Sequence, residues 1–257
     1  STYAGDGQRC TFDRDVGQLT NHRLYDLEIS NDGMKMLAVT RNAKDDADDD
    51  HAYVLSLTSP YEISSCQRSS TTTDIDSDAF LLGSNAGRTT EPAKNRLEGI
   101  EINEDGSKLF LLFMDNTASD GVGGRIYEFN LSTPFDLSSS SMSLVLDAGI
   151  ILSDDTSTGV HGPASIRFSA NGKRLFVTSH APSGTKRVTQ ISLTNAYDTS
   201  SFVIDGSYDL SNASYNNSQP RGIAFNSSGL KMYLTKDRSG NPCLLYTSDA
   251  ADDLLSV

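Results

Sequence analysis

Residues 97–113 read LEGIEINEDGSKLFLLF, and this stretch decides the fold. Ile100 and Ile102 flank Glu101 with the period of two that marks a strand. Asn103 to Gly106 is turn-forming, and a glycine at its end admits the positive φ that a tight hairpin requires. Leu109-Phe110-Leu111-Leu112-Phe113 is then apolar throughout, the pattern of a strand buried on both faces.

The same unit recurs without gaps as LYDLEISNDGMKMLAVT from Leu24, ASIRFSANGKRLFVTS from Ala164 and RGIAFNSSGLKMYLTK from Arg221. The turn glycines are Gly33, Gly106, Gly172 and Gly229, spaced by 73, 66 and 57 residues. A basic residue follows each: Lys35, Lys108, Lys173 with Arg174, and Lys231. These read as solvated edge charges. A third, alternating strand follows in three repeats, at Ala52–Leu57, Arg125–Leu131 and Arg187–Leu193. After it comes a shared turn: Thr58-Ser59-Pro60-Tyr61-Glu62-Ile63-Ser64, Ser132-Thr133-Pro134-Phe135-Asp136-Leu137-Ser138 and Thr194-Asn195-Ala196-Tyr197-Asp198-Thr199-Ser200. Pro presets the turn, and the aromatic is expected to plug a blade edge. Weaker fourth strands are expected at Phe80–Leu82, Leu144–Leu146 and Phe202–Ile204.

Four strands per unit, repeated, is the blade of a β-propeller. The expected fold class is therefore all-β, with four-stranded antiparallel blades. Three complete blades and part of a fourth, about 3.5 in all, form an open arc. The blades span 20–96, 97–162, 163–219 and 220–242, within a partial propeller of 1–242. Residues 1–19 read as the last strand of a preceding blade. No sustained period of 3.6 is present, so helices should be few.

Glu98-Gly99-Ile100 and Arg221-Gly222-Ile223 open their repeats, and Ile126-Tyr127-Glu128-Phe129-Asn130-Leu131-Ser132-Thr133-Pro134-Phe135-Asp136-Leu137-Ser138 closes one. Over residues 20–242 this combination resembles the repeats of bacterial and phage extracellular β-propellers. More distantly it resembles lactonase-like and quinoprotein-like propellers, whose enzymes hold a metal or cofactor at the mouth of the central channel. The constellation of acids and Asn that such ligation needs has no counterpart here. The resemblance implies the fold and a place outside the cell or on a cell or virion surface.

Residues Cys243 to Asp253, CLLYTSDAADD, resemble the conceptual translation of a transposase sequencing adapter. Residues 243–257 are accordingly expected to be a non-native tail, with the fourth repeat truncated soon after its second strand. Leu244, Leu245 and Tyr246 could still pair beside an open edge. Of the remaining cysteines, Cys10 and Cys66 could form a disulfide or stay as two buried thiols. Closing that loop would contribute about 4 kcal/mol in the chain-entropy model.

The formal net charge of −13 disfavours nucleic acid, whose phosphates need clustered Lys and Arg. No run of apolar residues is long enough to insert in a membrane as a helix. The densest acidic run, Asp45-Asp46-Ala47-Asp48-Asp49-Asp50-His51, reads as a solvated loop. Asp74-Ile75-Asp76-Ser77-Asp78 begins like a calcium loop, but Ala79 and Asn85 stand where Gly and Glu are needed. No catalytic residue, metal site or cofactor is expected, with Ca²⁺ the one ion these residues could hold. Gly121-Val122-Gly123-Gly124 reads as a hairpin connection rather than a phosphate loop.

One column breaks the repetition: Tyr25, Glu98, Ala164 and Arg221, at the entry to each first strand. First strands line the channel of a propeller, so Tyr25, Glu98 and Arg221 are the candidate ligand-binding residues. The expected function is a non-enzymatic binding module with a glycan or protein ligand. The alternatives are a metal-dependent, lactonase-like hydrolase acting at the channel and a structural spacer of a larger surface protein.

Overall fold

A computed structural model describes residues 22–42, 51–74, 95–115, 122–138, 142–145, 150–153, 162–180, 186–210, 219–237 and 246–249. The first sheet runs β1 (His22–Ile29), β2 (Lys35–Asn42), β3 (His51–Leu57) and β4 (Cys66–Asp74). The second holds β5 (Asn95–Ile102), β6 (Lys108–Asp115), β7 (Val122–Leu131) and β8 (Met142–Leu144), with β9 (Ile150–Ser153) also on β7. The third runs β10 (Pro163–Phe168), β11 (Arg174–His180), β12 (Lys186–Leu193) and β13 (Phe202–Asp209). The last runs β14 (Gln219–Phe225), β15 (Lys231–Asp237) and β16 (Tyr246–Asp249). All pairings are antiparallel between chain neighbours, apart from β9. Each sheet packs on the next in chain order, inner strand beside inner strand. This is a β-propeller arranged as an open arc.

The apolar run of β6 is explained by its two neighbours. Leu109, Leu111 and Phe113 join Leu37, Val39 and Val54 of the first blade in one core. Phe110 and Leu112 face the other way, onto Ile166, Leu175 and Val177 of the third. A smaller core of Phe176, Val188, Ile223, Met232 and Leu234 joins the third blade to the fourth. Each fully buried side chain of this size contributes about 1.5–3 kcal/mol.

The repeated turn is a two-part lock. In every blade the glycine N–H donates to the carbonyl three residues earlier: Ser30, Asn103, Ser169 and Asn226. The side-chain oxygen of that same residue accepts from the N–H of Lys35, Lys108, Arg174 or Lys231. Tyr61, Phe135 and Tyr197 then supply the second part. Each donates its N–H to the carbonyl of its own blade's turn glycine, at 2.8–2.9 Å. Each holds a left-handed backbone, with φ between 55° and 60°. Their rings cover the glycines so closely that a Cβ on Gly106 would lie 2.2 Å from the Phe135 ring. The turn aromatic therefore caps the opening hairpin of its own blade.

Several expectations need correction. The outer strand of the first blade is Cys66–Asp74, which starts as soon as the turn ends, and Phe80–Leu82 lies outside the described residues. The strand's sequence, CQRSSTTTD, is almost wholly polar and carries no apolar alternation that would mark a strand. The outer strand of the second blade is split between β8 and β9. Val122 to Gly124 is strand rather than connection, and Gly124 is needed because a Cβ there would lie 2.5 Å from the Phe113 carbonyl oxygen. Lys108 is no solvated charge: its ammonium bridges Glu128 and the Tyr197 carbonyl. Cys66 is disulfide-bonded, while Cys10 and Cys243 lie outside the described residues. As expected for Tyr246 beside an open edge, Tyr246–Asp249 of the tail pairs with β15 as a third strand, main chain to main chain.

Candidate functional site

The four first strands, β1, β5, β10 and β14, carry a bulge at one shared place. The ladder skips Tyr25 between Leu24 and Asp26, Glu98 between Leu97 and Gly99, and Ala164 between Pro163 and Ser165. In β14 it skips from Pro220 to Ile223, past Arg221. The variable column is thus a column of bulged residues. A bulged residue sits outside the ladder register that constrains its neighbours.

The structure separates the three predicted ligand residues. Tyr25 lines a cleft of about 380 Å³ bounded by the first, third and fourth blades, with Leu24, Leu27 and Tyr233 as its apolar walls. Asp26 and Arg167 supply its charged groups, and Gly222 borders it. Glu98 is buried, and Arg221 donates to Gln219 Oε1 at 3.0 Å; neither lines the cleft.

The charged groups form a chain across the blades. Asp26 accepts from the Ile100 N–H of the second blade at 3.1 Å and from Leu27 N–H at 2.9 Å. Glu101 accepts from Phe168 N–H of the third blade at 3.2 Å. Arg167 donates to the Ile223 carbonyl of the fourth at 3.3 Å. Its guanidinium also pairs with Glu101 at 3.0 Å and with Glu28. Each inner strand is tied to the next by a side chain that reaches its backbone.

Burial sets the titration of this group. Desolvation raises Asp26 from 3.8 to about 6, against the pull of the Ile100 N–H and of Arg167. Glu101 is pushed well above the ordinary carboxylate range by burial first and by Asp26 second. Burial pushes Arg167 down, and Asp26 pushes it back up. Two carboxyls that resist ionisation thus stand beside one guanidinium. The arrangement can hold a proton near neutrality and can offer both a donor and an acceptor to a bound hydroxyl.

Glu28, Glu101 and Arg167 occupy one repeat position, five residues before Gly33, Gly106 and Gly172. Sequence reasoning passed over them, although charges among the apolar residues of a first strand were the available signal. Among the described residues no three His, Cys, Asp or Glu side chains converge as metal ligands. The acidic run Asp45–Asp50 and residues 75–78 lie outside the described residues. No helix among the described residues is long and apolar enough to cross a membrane.

No family model and no curated protein sequence matches the chain. Solved structures do. A 6-phosphogluconolactonase candidate from Bacteroides fragilis is 13% identical over 91% of this chain and 55% of its own, with a TM-score of 0.47. The calcium-binding protein regucalcin from Agrobacterium tumefaciens is 14% identical over 86% and 56%, with a TM-score of 0.45. The Trypanosoma rangeli sialidase, solved with sialic acid, is 11% identical over 90% and 36%, with a TM-score of 0.46. The chain spans about half the length of the first two.

Proposed function

We propose that the chain is a non-enzymatic binding module of a cell or virion surface, and that its ligand is a neutral glycan seated in the cleft beside Tyr25. The cleft itself carries this reading. Tyr25 and Tyr233 line it with aromatic residues, Leu24 and Leu27 extend the apolar wall, and Asp26 and Arg167 add polar groups. A sugar ring has the matching character, with apolar C–H faces and a rim of hydroxyls. An anionic ligand fits less well. Glu28 already pairs with Arg167, and the whole chain repels anions with its net charge of −13.

The chain has no Trp, so its intrinsic fluorescence comes from its 10 tyrosines, Tyr25 and Tyr233 of the cleft among them. The full chain is titrated with a panel of neutral and acidic oligosaccharides. At least one neutral member is expected to change the signal saturably. Tyr25→Ala and Tyr233→Ala should each weaken it at least ten-fold. Silence across the panel would leave the spacer reading, and variants without effect would move the site elsewhere.

Asp26 favours a second reading, a hydrolase of lactonase or related type. A carboxyl at about 6 on the wall of a cleft is suited to general acid–base work. Product formation from a lactone or oligosaccharide, lost in Asp26→Asn, would establish this reading over the first.

A further inference from the structure

The third blade displays how a turn aromatic is received. The Tyr197 ring lies on Gly172, with its centroid 4.9 Å from Phe168 of its own blade and 6.4 Å from Phe110 of the second. Its carbonyl accepts from Lys108 Nζ at 2.7 Å. Two residues on, the N–H and hydroxyl of Thr199 donate to Glu128 Oε2 at 2.6 and 2.8 Å. Glu128 lies opposite Phe110 in the ladder between β6 and β7.

Every part of this receptor recurs one blade further on. Gly229 stands for Gly172, with φ of 72°. Phe225 stands for Phe168, and Phe176 for Phe110. Arg174 takes the place of Lys108. Gln190 takes that of Glu128, because it lies opposite Phe176 in the ladder between β11 and β12. Among the described residues nothing lies within 4 Å of a Cβ built on Gly229, where rings crowd the other three glycines. A cavity of about 460 Å³ lies there instead, lined by Arg174, Phe176, Gln190, Phe225 and Gly229.

We propose that this cavity is a docking site for a turn segment, presented by a separate polypeptide, of the form Ser/Thr-x-Pro/Ala-aromatic-Asp/Glu-x-Ser/Thr. The aromatic ring stacks on Gly229 against Phe225 and Phe176. Its carbonyl accepts from Arg174. The residue two positions later donates to Gln190 Oε1, whose amide nitrogen is already committed to Asp205 at 2.7 Å. Three turns of this chemistry already fill equivalent positions in the same chain, which identifies the occupant. The inference is independent of the cleft beside Tyr25.

The test uses the full chain and a synthetic peptide of residues 191–202, ISLTNAYDTSSF, followed by calorimetry and by amide shifts in NMR spectra. Saturable one-to-one binding is expected, with shifts at Gly229, Phe176 and Phe225. A peptide carrying Tyr197→Ala should bind at least ten-fold more weakly. Arg174→Ala in the protein should weaken binding several-fold, with its circular dichroism unchanged. Absence of binding overturns the proposal. Equal binding of the Tyr197→Ala peptide also overturns it, since that marks pairing along an open strand edge. Shifts confined to Tyr25 and Tyr233 overturn it as well.

Discussion

The two alanine substitutions Gly106→Ala and Gly229→Ala test the turn lock directly. Both glycines are left-handed, at φ of 76° and 72°. The backbone penalty is therefore the same, about 1–2 kcal/mol. At Gly229 no described residue is displaced, since among the described residues a Cβ there meets no atom within 4 Å. At Gly106 the Cβ would lie 2.2 Å from the Phe135 ring, which must leave. Losing much of the burial of that ring adds about 1.5–3 kcal/mol. The expected totals are about 1–2 kcal/mol for Gly229→Ala and about 2.5–5 kcal/mol for Gly106→Ala. Urea denaturation followed by circular dichroism measures both. In a Phe135→Ala background the cost of Gly106→Ala should fall to that of Gly229→Ala, the signature of direct coupling. Equal costs for the two single variants, or no coupling in the double, would refute the reasoning.

Glu128→Ala should destabilise the chain by about 3–5 kcal/mol, because it strands Lys108 and the Thr199 N–H at a blade interface. Glu128→Gln should cost less in the same denaturation experiment, since it keeps an acceptor for Thr199. For pH, the folded value of Asp26, about 6, exceeds its ordinary 3.8. Its contribution is therefore complete below about pH 4 and is lost as pH rises through about 6. Glu101 acts in the same sense. Asp32, Asp105 and Asp198 are held low by hydrogen bonds from Ser30, Ser107 and Ser200, so their contributions fade only at more acid pH. The parent should therefore lose stability relative to Asp26→Asn between pH 4 and 6, and a flat difference across that window contradicts the assignment.

The apolar run Leu109–Phe113 and the turn at Gly106 disclosed the blade because both follow from local rules. A strand between two neighbours must be apolar on both faces, and a tight turn needs a residue free to take positive φ. The outer strand Cys66–Asp74 obeys no such rule, since an edge strand can form from polar residues through its backbone alone. Tyr25, Glu98 and Arg221 stand out in the sequence because they vary. The bulge accounts for that variation, and only Tyr25 borders the cleft. Asp26, Glu101 and Arg167 act across blades, and pairings between units of unknown separation cannot be seen in one repeat. The same holds for Lys108, whose partner Tyr197 belongs to the following blade. Left-handed Tyr61, Phe135 and Tyr197 run against intrinsic preference, and it is their packing on the glycines that holds them there.

The order of parts in the turn lock bears on how the chain leaves the ribosome. The hairpin that opens a blade emerges first, but the ring that caps it arrives only after the third strand. Gly106 must wait for Phe135, and Gly172 for Tyr197. Glu128 waits longer still, because Thr199 lies in the following blade. A nascent blade is thus finished from behind, by sequence that has yet to be translated. Stalling between β12 and its turn would leave two blades loose rather than one.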